Sequence, residues 1–208
     1  MAMAEDQPTV PLGGDVALPL VGLGTWQMTG QECYRAVRHA LEVGYRHIDT
    51  ATMYRNEREV GRAVRDSGVS REDVLVATKL PPRDAGRERK TLEASLRALG
   101  TEYVDLWLVH WPPARGASPQ VWKQFLALRD EGMTRAVGVS NYDVAELDEL
   151  VMATGEAPQV NQIRGGRACT PTSWRSTVGE AWFSRATARS RPPTSATRCS
   201  PRSPAVSG

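Results

Sequence analysis

The sequence predicts an α/β fold built on a parallel sheet, and three observations carry that prediction. Short β-branched or apolar runs alternate with helix-length amphipathic segments across residues 21–162. A glycine stands where each of five helices should stop, at Gly44, Gly68, Gly100, Gly132 and Gly155. Side chains suited to acid-base work end successive strands, namely Asp49, Lys79 and His110. Parallel strands that aim their C-terminal ends at one site would bring such residues together.

The elements follow in order. Thr9-Val10 and Ala17-Leu18 flank Gly13-Gly14-Asp15 and read as a small hairpin ahead of the sheet. The first strand of the sheet falls at 21–24. Residues 30–43 read as a helix, because Cys33, Val37, Ala40 and Leu41 recur at three- and four-residue intervals and define one buried face. A strand at 47–49 precedes a helix at 57–67, a strand at 74–79 a helix at 88–99, and a strand at 104–110 a helix at 119–131. Strands at 135–139 and 159–162 enclose a last helix at 144–154.

A chain of 208 residues can bury a full core, although a closed barrel of eight βα units usually takes about 250. Apolar content of 40% and charged content of 24% are those of an ordinary soluble protein. The sequence has no run of 18 apolar residues to span a membrane. Residues 1–7 carry Glu5 and Asp6 and no apolar core segment, so a cytoplasmic location is expected over a secreted one. Neither the three cysteines nor the three histidines show metal-ligand spacing, and no metal is expected.

The net charge of +2 hides a boundary near Ile163. Residues 1–163 hold 18 basic and 23 acidic side chains, whereas 164–208 hold 8 basic and 1 acidic. That second segment has no Leu, Ile or Met but 8 Arg, 8 Ser, 6 Thr and 5 Pro. It lacks the apolar surface to offset the entropy of ordering and is expected to be a disordered or non-native tail. The expected organisation is therefore one unit over 1–163 and a low-complexity segment over 164–208.

Periodicity alone leaves a barrel and an open doubly wound sheet both possible. The open dinucleotide-binding sheet is weakly supported, since Gln27 stands where its third glycine belongs in Gly22-Leu23-Gly24-Thr25-Trp26-Gln27. Other stretches are more specific: Gly44-Tyr45-Arg46-His47-Ile48-Asp49-Thr50-Ala51-Thr52-Met53-Tyr54, Asn56-Glu57, Ala77-Thr78-Lys79-Leu80 and Tyr103-Val104-Asp105-Leu106 running to His110-Trp111-Pro112. Gly138-Val139-Ser140-Asn141-Tyr142 and Pro158-Gln159-Val160-Asn161-Gln162 complete the set. Together, over about residues 8–163, they closely resemble the aldo-keto reductases, (β/α)8-barrel enzymes that move hydride between NADPH and a carbonyl. The resemblance implies a TIM-type barrel, here incomplete with about six βα units.

The same resemblance implies roles. Tyr54 would be the general acid that protonates the carbonyl oxygen, and His110 a neutral hydrogen-bond donor that places that oxygen. A free phenol has a pKa of about 10; a neighbouring Lys79 ammonium would lower it, and Asp49 would hold the lysine charged and oriented. Thr25, Asp49, Ser140, Asn141 and Gln162 would meet the cofactor, NADPH, while Trp26, Trp111, Tyr54 and His110 would face a small-molecule carbonyl substrate. Neither nucleic acid nor membrane is an expected partner. Taken singly, each of these residues also has a plainer reading: a strand-end charge, a core tryptophan, or, for Asn141, a helix N-cap.

Beyond Gln162 the family pattern stops. A DNA string coding the family's seventh strand, Gly-Val-Val-Leu-Glu-Gly-Tyr-Ser-Pro, when read from its second base, gives the Ala-Trp-Phe-Ser-Arg-Ala-Thr-Ala-Arg found from Ala181 to Arg189. Residues from about Arg164 are therefore expected to be an out-of-frame translation. The family's adenosine-phosphate pocket would then be missing, and little turnover by this chain is expected. The other readings are a non-catalytic barrel subunit, an inactive product, and a basic disordered arm.

Overall fold

The computed structural model describes residues 7–113, 116–164 and 182–185. Two strands, β1 (Thr9–Gly13) and β2 (Val16–Pro19), form an antiparallel hairpin. The main sheet follows: β3 (Leu23–Gly24), β4 (His47–Asp49), β5 (Leu75–Leu80), β6 (Val104–Val109), β7 (Thr134–Ser140), β8 (Asn161–Arg164) and β9 (Trp182–Arg185). Helices α1 (Gly30–Glu42), α2 (Glu57–Asp66), α3 (Glu88–Leu99), α4 (Pro119–Asp130) and α5 (Val144–Thr154) lie between β3 and β8. All five helices and the first six strands of the sheet fall within a few residues of their predicted bounds.

The strand order settles which α/β architecture this is. All seven strands are parallel and lie side by side in chain order, β3-β4-β5-β6-β7-β8-β9. Right-handed crossovers between sequential neighbours put every helix on the same face, so the sheet winds one way and curls toward a barrel. A doubly wound sheet would reverse direction part-way. β3 and β9 are the two ends of this sheet among the described residues.

Two apolar layers follow from strand alternation. Residues pointing outward, such as Ile48, Val76, Leu80, Trp107, Val109, Val137 and Val139, pack with the helices. Trp107 stacks on Phe125 of α4 at 3.8 Å between ring centroids and 4° between planes. Residues pointing inward, Leu75, Ala77, Leu106, Leu108, Ala136 and Val160, form a second cluster with Leu12, Val16 and Leu18 of the hairpin. The hairpin therefore plugs the N-terminal mouth of the barrel and leaves the C-terminal mouth for chemistry. At Gly138 the inner layer has no room for a side chain, since an added Cβ would lie 2.5 Å from the Val160 carbonyl and 2.9 Å from Leu108.

The N-terminal rim is tied by Asp105, which is buried at the start of β6. Its Oδ2 accepts from Arg71 Nη2 at 2.8 Å and from the Val76 amide at 2.9 Å, and its Oδ1 accepts from Arg135 Nη1 at 3.2 Å. One carboxylate thus links β5, β6 and β7. The helices end as the glycines predict, with Gly100 and Gly155 at φ 67° and 77° closing α3 and α5.

One expectation changes. α5 is capped by Asp143, whose Oδ1 accepts from the Glu146 amide while its own amide donates to Glu146 Oε2, each at 2.9 Å. The alternative reading of Asn141 as that cap is therefore set aside, and the Asp-x-x-Glu spacing is the signal for it. Beyond β8, Trp182–Arg185 forms β9, parallel to β8 in the register Asn161↔Trp182 to Arg164↔Arg185. The rest of the predicted low-complexity segment, 165–181 and 186–208, lies outside the described residues.

Two measurements check this packing. Asp105→Ala strips a charged acceptor from two arginines and an amide, and should lower unfolding free energy by about 3 kcal/mol in denaturant titration. Burial, with Glu59 and Glu32 adding, pushes the Cys33 thiol up to about 12. Peptide-resolved alkylation at pH 8 should therefore label Cys33 only after denaturation.

Candidate active site

Alternation along the strands fixes which side chains enter the barrel at its C-terminal mouth. Asp49 ends β4, Lys79 precedes the last residue of β5, His110 follows β6 and Ser140 ends β7. Lys79 and His110 lie in phase with inward-facing Ala77 and Leu108. Lys79 is 1% exposed and Asp49 3%, so an ammonium and a carboxylate face each other out of water. Lys79 Nζ donates to Asp49 Oδ1 and, at 2.8 Å, to the Thr50 carbonyl. Desolvation makes such a pair costly unless both partners remain.

Tyr54 comes to this pair from the loop after β4, in a 3-10 turn of Thr52–Tyr54. Its ring centroid lies 5.6 Å from Lys79 Nζ and 5.6 Å from the His110 ring, the two rings edge-on at 78°. The turn is held from beneath, because Thr52 Oγ1 donates to the Lys79 carbonyl at 2.9 Å. His110 is placed by its own amide, which donates to the Leu80 carbonyl at 2.9 Å. The four residues expected to carry chemistry therefore converge on one region of the mouth.

The remaining predicted residues fall around it. Trp26 and Trp111 are 47% and 52% exposed, open to solvent at the rim. Ser140 ends β7, Asn141 follows it, and Gln162 pairs with Ser140 from the neighbouring β8. Ser140 Oγ donates to the Gln162 carbonyl at 2.8 Å, and Asn141 Nδ2 donates to Ser140 Oγ at 2.9 Å and to the His110 carbonyl at 3.0 Å. Thr25 is fully buried, and both its amide and its hydroxyl donate to the Asp49 carbonyl, at 2.9 and 3.2 Å. It anchors the first loop to the end of β4.

Backbone conformation marks the same rim. Among the described residues, four non-glycine residues have positive φ, Gln27 at 66°, Arg55 at 57°, Ser118 at 56° and Asn141 at 65°, and each lies in a loop that follows a strand. Left-handed backbone in residues that carry a Cβ persists only where the surroundings impose it, which is common at sites that orient ligands.

The family-model match agrees with this geometry, covering residues 20–164 with the model described as the Aldo/keto reductase family. The chain belongs to that family. An aldo-keto reductase from Mycolicibacterium smegmatis is 46% identical over 159 residues, covering 75% of this chain and 58% of that protein. The methylglyoxal reductase DkgA of Yersinia pestis is 42% identical over 158 residues, covering 76% and 57%. Among solved structures, an aldo/keto reductase from Brucella melitensis superposes with a TM-score of 0.73 at 42% identity, covering 76% of this chain and 63% of that one. A Bombyx mori aldo-keto reductase in complex with NADP matches with a TM-score of 0.72 at 33% identity, covering 78% and 59%. The chain thus spans somewhat more than half the length of the aldo-keto reductases it matches.

Two residues of this aldo-keto reductase site drew no role from sequence alone. Asn56 is fully buried and bonds to two loops. Glu57 is buried on the outer face of β5, where Oε1 accepts from Thr78 Oγ1 at 2.6 Å. An acidic residue in the first turn of a helix reads as a dipole partner, so nothing marked Glu57 as buried.

Burial raises the Glu57 carboxyl above its usual range, opposed by hydrogen bonds from Thr78 and Ser95. The folded state consequently holds this proton to higher pH than the unfolded chain, whose glutamates ionise at about 4.3. The stabilisation is complete below that value and fades as pH rises through the folded pKa. Glu57→Gln keeps an acceptor for Thr78 and removes the titration. Thermal melts should show the variant gaining on the parent between pH 5 and pH 8; identical pH dependence would contradict a buried, proton-retaining Glu57.

Proposed function

We propose that this protein reduces an aldehyde or ketone to an alcohol, with Tyr54 as the proton donor. The observation that carries the reading is the buried Lys79–Asp49 pair, with Lys79 Nζ 5.6 Å from the centre of the Tyr54 ring and His110 edge-on to that ring. An ammonium beside a phenol favours the phenolate, and so makes the phenol a readier acid near neutral pH. Asp49 keeps that ammonium charged and aimed, and the Thr50 carbonyl fixes a second direction. His110, in neutral form, hydrogen-bonds the substrate carbonyl oxygen and turns it toward Tyr54 Oη. The Trp26 and Trp111 rings shield the reacting carbonyl from water, which strengthens the polar contacts at its oxygen.

The residues present suit a nicotinamide cofactor. Ser140 and Asn141 bring a hydroxyl and an amide together at the end of β7, beside Gln162 of β8, and such groups are a suitable partner set for a carboxamide. These three would hold the carboxamide and select the ring face, and bound NADPH would supply the hydride. NADPH is preferred to NADH because related reductases carry NADP or NADPH. The carbonyl acceptor is small; methylglyoxal is the first to try, since several relatives are named methylglyoxal reductases. A cytoplasmic location belongs to the same reading. The plainer alternative of a non-catalytic barrel is disfavoured, because a binding module has no use for an acid with an ammonium set beside it.

We further propose that residues after about Arg164 are translated out of frame. The run Ala181–Arg189 supports this, for the alternative frame over those residues can write Gly-Val-Val-Leu-Glu-Gly-Tyr-Ser-Pro, like the family's seventh strand. The coding DNA tests it directly: an alternative frame that cannot encode that strand refutes it.

Carbonyl-dependent NADPH oxidation tests the reaction, both in the 208-residue chain and in one continued past Ile163 in the alternative frame. The 208-residue chain should show little turnover; in the chain continued in the alternative frame, Tyr54→Phe should lower kcat by about 10²–10⁴-fold, the usual worth of a positioned acid, while cofactor affinity stays within about threefold. A loss below about tenfold would remove Tyr54 from the acid's role.

A further inference from the structure

Asn56 stands directly before α2, where an asparagine ordinarily caps the helix, yet its side chain makes no capping hydrogen bond. It is fully buried and turned toward the barrel mouth's loops. Its Nδ2 donates to the Thr25 carbonyl and to the Met28 carbonyl, both at 2.9 Å. Its Oδ1 accepts from Thr50 Oγ1 at 2.7 Å. Those two carbonyls bracket Trp26 and Gln27, and Gln27 is held at φ 66°. Thr50, meanwhile, gives its own carbonyl to Lys79 Nζ at 2.8 Å. Tyr54 lies two residues away, across Arg55 at φ 57°. One amide therefore ties together the loop that bears Trp26, the turn that bears Tyr54, and the residue that receives the Lys79 ammonium.

We propose that Asn56 is a positioning residue that locks the Trp26 loop onto the Tyr54–Lys79 pair, so that the substrate wall and the proton donor keep one fixed spacing. The inference deepens the reading of Tyr54 as proton donor and rests on it. An amide with three hydrogen bonds in a site closed to water is stiff, because each bond it released would go unreplaced. Both loops that it joins carry left-handed residues, and such conformations relax once their restraints go. Without Asn56 the Trp26 loop keeps the Thr25 bonds to Asp49, the Met28 amide's bond to Thr25 and the packing of Met28 on the core, none of which ties it to the Tyr54 turn. The Tyr54 turn keeps Thr52. Each half remains folded, and the joint between them opens.

The test uses Asn56→Ala and Thr50→Val, neither of which adds charge; Thr50→Val keeps side-chain shape and serves if Asn56→Ala folds poorly. Two readouts on the 208-residue chain need neither cofactor nor substrate. Hydrogen exchange at the Thr25 and Met28 amides should quicken by about tenfold or more, while the strand amides of β5 and β6 stay protected. The Tyr54 phenol, followed by ¹³C NMR and assigned with Tyr54→Phe, should titrate below the ordinary phenol value in the parent and move back toward about 10 in the variants. Unchanged exchange in the Trp26 loop overturns the proposal, and so does equal acceleration in loop and strands, which a merely structural residue would give. A depressed Tyr54 value that neither variant moves overturns the positioning role alone. An ordinary value in the parent overturns the proton-donor reading and this one with it.

Discussion

Lys79 and Asp49 are an ion pair sealed under the mouth of a barrel, and the surrounding structure is arranged so that neither can leave. Each sits at the end of one of two neighbouring strands, and those strands are fixed in register by parallel pairing of His47 with Leu75 through Asp49 with Ala77. Taking both charges out of water is expensive, and Thr50 helps to offset the expense by adding a second oxygen to the ammonium. The backbone at Asp49 is engaged as well, since its carbonyl receives the amide and the hydroxyl of Thr25. The pair therefore fixes the first loop as well as the lysine. Tyr54, His110 and the rim tryptophans have defined places because this centre does.

The two ends of the barrel are built by opposite means. At the N-terminal end, a hairpin fills the bore with Leu12, Val16 and Leu18, and Asp105 with two arginines ties three strands. The helix-to-strand turns there place glycine at positive φ, at Gly44, Gly68, Gly100, Gly132 and Gly155, where it carries no steric penalty. At the C-terminal end the loops hold polar networks and left-handed residues that bear side chains. Packing holds one end together, and hydrogen bonding sets the geometry of the other.

Most of the architecture was legible in the chain because local and global signals agree. Cys33, Val37, Ala40 and Leu41 mark the buried face of α1 as their spacing predicts, and a period of two decides that Lys79 points inward with Ala77. The barrel itself was not legible from periodicity, since strand order is a property of the assembled sheet. Asn56-Glu57 stood out as a stretch, but neither residue showed its role: an asparagine ahead of a helix reads as a cap, first-turn acids are normally exposed, and only tertiary contacts show the amide turned elsewhere and the carboxyl buried.

The left-handed residues at the rim have a consequence for attempts to harden this protein. Gln27, Arg55 and Ser118 hold a Cβ in a conformation that glycine adopts without that penalty, so a selection for heat resistance alone would find gains at these three positions. Those gains would come from the loops that aim Trp26, Tyr54 and Trp111, and a sturdier molecule would emerge with its mouth out of alignment. Engineering for endurance is better confined to the plugged end, where the turns already carry glycine and no side chain has to be aimed.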